Sequence, residues 1–140
     1  MGPTLSRELP LAKVAKSSAV AMPAGGFRHG PVEVVDRDFR AVVFAPSGAG
    51  RALNLDLARD LKLFGGQVRV IGPCKDGDGA GELLFWPTPE MPEMVAPALE
   101  IIPAQIAALR LAEWRGIPAG EFRFVSTVTR DEGRFAPSYR

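Results

Sequence analysis

His29 is the one histidine in 140 residues, and it stands inside Gly25 to Pro31, GGFRHGP. An imidazole is the side chain best suited to moving a proton near neutral pH. The glycines before it and the Gly30-Pro31 pair after it predict a loop, because glycine reaches backbone angles that other residues avoid and proline locks φ. Strand-like sequence flanks the loop, AVAMP before it and RAVVFAP after it. His29 is therefore expected at the mouth of a sheet, where binding chemistry concentrates. A lone histidine in such a loop is most often a structural group that bonds a nearby carbonyl.

Three other groupings invite a chemical reading. PSGAG, Pro46 to Gly50, precedes a helix, and helix N-termini attract anions. It lacks the Gly-Lys-Ser/Thr ending of a nucleotide loop, which leaves a phosphate or sugar contact at Ser47 or an ordinary connecting turn. Asp76 and Asp78 lie in a glycine-rich stretch, but the closing bidentate glutamate of a calcium loop is absent, so a solvated loop is expected. Ser126, Thr127 and Thr129 are ligand contacts or plain strand residues. No nucleophile-elbow motif accompanies a Ser/His/Asp set.

Composition removes other classes. Seventeen basic and sixteen acidic residues leave a net charge of +1, which gives no broad electrostatic case for nucleic acid or an anionic membrane. Cys74 alone cannot form an internal disulfide, and one Cys with one His cannot complete a usual zinc site. No apolar run spans a bilayer, and no export signal is recognisable at the N-terminus. The expectation is a cytoplasmic protein without membrane contact.

The elements that must position His29 can be taken in order. Pro10 to Ser18 predicts a short helix, and Ala19 to Met22 a brief strand leading into the loop. Pro31 to Asp38 turns the chain back. AVVFA, Ala41 to Ala45, reads as a strand buried on both faces. From Arg51 to Phe64, Leu53, Leu57, Leu61 and Phe64 fall at helical spacing, and Gly65-Gly66 closes that helix. Gln67 to Ile71 is a second strand, which makes a right-handed parallel βαβ unit. Leu83 to Trp86 is a third. Glu93 to Ile102 predicts a short helical segment, and Pro103 the start of a helix to about Arg115 that is apolar on most sides and so buried or covered by a partner. Phe122 to Arg130 closes the fold, and 131–140 reads as a mobile tail.

FRHGPVEVVD resembles the aromatic, basic, His-Gly-Pro and acidic-ended stretch of the second sugar-isomerase (SIS) domain in glucosamine-6-phosphate synthases and related amino-sugar isomerases and deaminases. The strand ending at Pro46, the helix closed by Gly65-Gly66 and the strand at Val68 continue the resemblance. So does EMVAPALEIIPAQIAALRLAEWRG, through Val95, Pro97, Pro103, Gln105 and Gly116, and so does the stretch Ser126 to Thr129. The resemblance implies an α/β fold, a three-layer sandwich of the SIS, flavodoxin-like type with a parallel sheet flanked by helices, here lacking the first strand. One SIS domain over 1–130 is expected.

Function follows from the same resemblance. It implies binding of a phosphosugar such as fructose 6-phosphate or glucosamine 6-phosphate, with no cofactor and no metal. His29 would assist ring opening, with Arg28, Ser126 and Thr127 as substrate contacts. Two family positions depart from the pattern. Lys13 stands where a glutamate moves the proton between C1 and C2, and Ser126 stands where a lysine assists at the sugar. Glu8 cannot replace that glutamate from a helix, being five positions away, about 140° around the axis. The expected protein is a phosphosugar-binding half-site, weak or inactive alone and completed by a homodimer or a partner SIS domain. Two other readings stand beside it: a degenerate dimerisation or sugar-phosphate-sensing module, and a truncated gene product.

Overall fold

The computed structural model describes residues 15, 17–79 and 81–118. Its centre is a three-stranded parallel sheet in the order β1-β2-β3: β1 (Arg40–Phe44), β2 (Gln67–Gly72) and β3 (Leu84–Pro87). Helices flank it: α1 (Ala24–Arg28), a 3-10 turn at Pro31–Val34, α2 (Arg51–Leu63) between β1 and β2, and α3 (Ala96–Trp114) after β3. This is the expected α/β architecture.

Register sorts the side chains. Ala41 lies beside Val68 and Val43 beside Val70, so these residues share one face, together with Ala45 and Leu83. Leu55, Leu57, Ala58 and Leu61 of α2 close over that face. Each buried leucine contributes about 1.5–3 kcal/mol. The helix ends as expected, with Gly65 at φ 98° and the amides of Gly65 and Gly66 bonding back to Lys62 and Leu61 carbonyls at 3.0 and 2.9 Å. A side chain at Gly66 would lie 2.9 Å from the Leu61 carbonyl and 3.3 Å from Val35, so the chain can pass there only as glycine.

The opposite face carries Val42, Phe44, Ile71, Leu84 and Trp86. The buried residues of α3 are Ala96, Glu100, Ala108 and Ala112, outside the α2 cluster, and this helix meets β2 from the second side. They are spaced by four, eight and four residues along one face, and the three alanines among them let the helix approach closely.

Hydrogen-bond direction alternates along each strand. Phe39 C=O and Ala45 N–H bond to β2, which sets Ala41 and Val43 toward β2 and turns the backbone groups of Arg40 and Val42 outward. On the far side, Thr88 N–H bonds Gly72 C=O, Leu83 N–H is taken by Gly79 C=O, and Pro87 has no N–H to offer.

Several expectations are corrected. Ala19 to Met22 is not one of the three strands of the sheet formed by the described residues, because the strand propensity of four residues does not by itself decide pairing. Ala15, Ser17 and Ser18 are not helical, so the first expected helix does not reach its predicted end. Gly25 to Arg28 is helix rather than loop, because Phe27 folds in against the Phe39 ring at 5.7 Å and brings a helical turn with it. β1 is buried on one face only, Val42 being 41% exposed. Leu53 and Phe64 lie at the margin of the α2 stripe and at the helix ends, and are exposed while Leu55 and Ala58 are buried. Pro103 sits inside one continuous α3 instead of starting a helix, since buried residues on both sides of it hold the segments in line. The outer side of α3 is open among the described residues, with Ile102, Ile106, Leu109 and Trp114 exposed. No described helix is long and apolar enough to cross a membrane.

Candidate functional site

α1 has five residues and buries none of them. Its position is fixed from outside. Phe27 N–H bonds Pro23 C=O at 3.0 Å, the Phe27 ring rests on Phe39, and Arg28 Nη1 reaches Asp60 Oδ2 of α2 at 2.6 Å. His29 caps this turn, its N–H 3.4 Å from the Gly26 carbonyl. Gly30 follows at φ 148°, in the region that favours glycine, and its carbonyl accepts the Glu33 N–H at 3.1 Å. The imidazole is exposed, and no hydrogen bond holds it among the described residues. Neither ring nitrogen is committed to a described residue.

A polar cluster gathers at the carboxyl ends of β1 and β2. Arg51, the first residue of α2, binds the carbonyls of Ala45 and Pro73 and the carboxylate of Asp78, with 11% and 14% of the two charged side chains exposed. Burial works to raise the Asp78 pKa, but the Lys75 backbone N–H and the Arg51 guanidinium together outweigh it and hold the carboxyl below its ordinary range. Asn54 Nδ2 donates to Phe44 C=O at 3.0 Å and closes the end of β1. Ser47 Oγ donates to Glu90 Oε1 at 3.1 Å, and Lys75 Nζ pairs with the same oxygen. Lys75 first, and Ser47 second, keep the Glu90 pKa below its ordinary value. A Cβ on Gly48 would overlap the Glu93 carboxylate. The loop that could have presented Ser47 to a phosphate thus faces two carboxylates of its own chain. Among the described residues no three His, Cys, Asp or Glu gather in a metal-ligating arrangement.

Of the expected site residues, His29 and Arg28 share the α1 turn. Arg28 is engaged by Asp60. Ser126, Thr127 and Lys13 lie outside the described residues, as do Thr129, the closing stretch Phe122 to Arg130 and the tail 131–140. Sequence reasoning missed Asp60 and Glu90, which meet Arg28 and Ser47 across 32 and 43 residues. No local pattern carries pairings of that span. Asp78, expected in a solvated loop, instead anchors that loop to Arg51.

No family model matches the chain. Among curated proteins it is 28% identical over 121 residues to the glutamine–fructose-6-phosphate aminotransferase (isomerizing) of Nostoc sp., covering 85% of this chain and 19% of that protein. The Thermus thermophilus aminotransferase of the same description is 28% identical over 109 residues, 74% of this chain and 17% of its own length. A Sphingobium yanoikuyae sequence so described is 26% identical over 114 residues, 80% of this chain and 73% of that sequence. The chain thus spans less than a fifth of the first two relatives. Among solved structures, the C-terminal domain of glucosamine-fructose-6-phosphate aminotransferase from Francisella tularensis superposes with a TM-score of 0.74 at 19% identity, over 84% of this chain and 33% of that one. Tagatose-6-phosphate ketose/aldose isomerase from Escherichia coli superposes at 0.60 and 26% identity, over 79% of this chain and 32% of that one.

Proposed function

From its homology to the SIS-domain glutamine–fructose-6-phosphate aminotransferase family, at modest identity over much of its length, we propose that this chain binds a phosphosugar at the His29 turn and does not isomerise it unaided. The observation that carries the reading is His29 itself. In a chain homologous to sugar-phosphate enzymes, the single imidazole stands exposed on a glycine-fixed turn with neither nitrogen hydrogen-bonded among the described residues.

An imidazole so placed can accept or return a proton at a sugar ring oxygen. Moving a proton between neighbouring carbons needs a second base. Lys13 occupies the position of the family's glutamate, and an ammonium cannot take that proton. Binding with ring opening, completed by a partner SIS domain or a second copy, is the chemistry these residues support. Cytoplasmic phosphosugars, fructose 6-phosphate and glucosamine 6-phosphate first, are the ligands to try.

Calorimetric titration with those two sugars tests the reading. Saturable binding that His29→Ala abolishes is the expected result. A folded chain that binds neither, alone or mixed with a partner SIS domain, sinks it, and isomerase turnover that depends on His29 would overturn the half-site part. The exposed apolar side of α3 favours a second reading, a dimerisation module. Sedimentation of the pure chain decides that: a dimer that Ile106→Glu dissociates supports it, and a monomer at all concentrations removes it.

A further inference from the structure

We infer that Asp60 is a positioning residue for His29, acting through Arg28, and that Arg28 serves this turn as a tether rather than as a phosphate contact. The inference rests on the reading of His29 as the ligand-binding group. It reassigns the neighbour that sequence alone would give to the substrate.

The α1 turn has little to hold it. It buries no residue of its own and is too short to persist on helical propensity. Phe27 fixes it on one side by packing against Phe39. Such a ring contact sets how deep the turn sits but allows it to pivot. Arg28 lies one residue on, directly before His29, and its guanidinium reaches Asp60 in the third turn of α2 at 2.6 Å. α2 is the helix most firmly joined to the core, through Leu55, Leu57, Ala58 and Leu61. Two anchors on different axes stop the pivot, and the residue after the second anchor is His29. Gly30 then lets the chain leave at φ 148° without dragging the imidazole inward.

The alternative is that Arg28 turns to a ligand phosphate, with Asp60 holding it only in the absence of sugar. The two ideas predict opposite signs. If Asp60 competes with phosphate for Arg28, Asp60→Asn frees the guanidinium and tightens sugar binding. If Asp60 positions the turn, the same substitution weakens binding, by about two- to fivefold, the range of an exposed ion pair.

His29 supplies a readout independent of sugar, since one histidine gives a single imidazole Hε1 resonance in the NMR spectrum. In the full chain, Asp60→Asn and Arg28→Gln should each move and broaden that resonance while the Val70 and Ile71 methyl signals stay in place. The reversed pair, Arg28→Asp with Asp60→Arg, should bring it back and restore fructose 6-phosphate affinity, which a phosphate-binding Arg28 would not allow. An unchanged resonance in Asp60→Asn overturns the tether, and so does tighter fructose 6-phosphate binding. Should the wild-type chain bind no sugar, the resonance still decides the tether by itself.

Discussion

Arg51 ties three segments at one point: the end of β1 through Ala45, the exit of β2 through Pro73, and the following loop through Asp78. Removing the carboxylate with Asp78→Asn leaves a nearly enclosed guanidinium short of charge. The expected loss is about 2 kcal/mol at pH 7, between the values for exposed and buried pairs. Its pH dependence has a definite sign. Folding lowers the Asp78 pKa, so the unfolded chain binds more protons and stability rises with pH. The contribution is complete above the ordinary carboxyl value of 3.8 and disappears as pH falls below it through the folded value. Urea unfolding of both proteins from pH 7 to pH 3 should show the gap closing in acid, and a gap of constant size would refute this account. At Gly66, Gly66→Ala must displace the Leu61 carbonyl or Val35 and should cost about 1–3 kcal/mol by thermal melting. At this scale the sequence was informative where a residue type is rare or restricted, as with His29, Gly30 and Gly66. It was silent on Asp60, Arg51 and Glu90, because an ion pair between distant positions depends on how helices and strands dock.

Elements show the complementary pattern. The three strands and α2 were legible to within a residue or so, because β2 lies between two parallel neighbours and α2 has a clear apolar stripe with a glycine stop. Ala19 to Met22 and Pro103 were misread for one reason. Both assignments used local propensity, and both outcomes are set by tertiary context, with burial on both sides of Pro103 holding that helix in line. α3 carries the cost of its proline, which lacks the N–H that would bond Leu99 C=O. Pro103→Ala restores that bond and should stabilise the chain by about 1–2 kcal/mol after the lost rigidity of the unfolded state is counted. A lowered melting temperature would mean that the helix needs its irregularity to follow the sheet. The small-residue stripe makes the opposite prediction. Ala108 is fully buried, and Ala108→Leu should push α3 off β2 and cost about 1–3 kcal/mol.

Taken as a whole, the molecule has two unlike sides. One face of the sheet is closed by α2, and the partly buried residues around that cluster, Ala24, Phe27, Val35, Phe39 and Ala41, collect toward β1 and the His29 turn. On the outer edge of β3, Leu83 is bonded within its own loop and Pro87 has no donor, which leaves Phe85 between them as the residue with outward backbone groups among the described residues. Beyond β1 the outward backbone of Arg40 and Val42 has no ladder partner among the described residues. The alternation along β1 therefore has a signature in time as well as in space. In deuterated buffer the amides of Ala41 and Val43, held in the ladder, should outlast that of Val42 by a factor on the order of 100 or more. Deuteration would then run along this strand as slow, fast, slow. A Val42 amide as slow as its neighbours would mean that another length of polypeptide already lies along the edge.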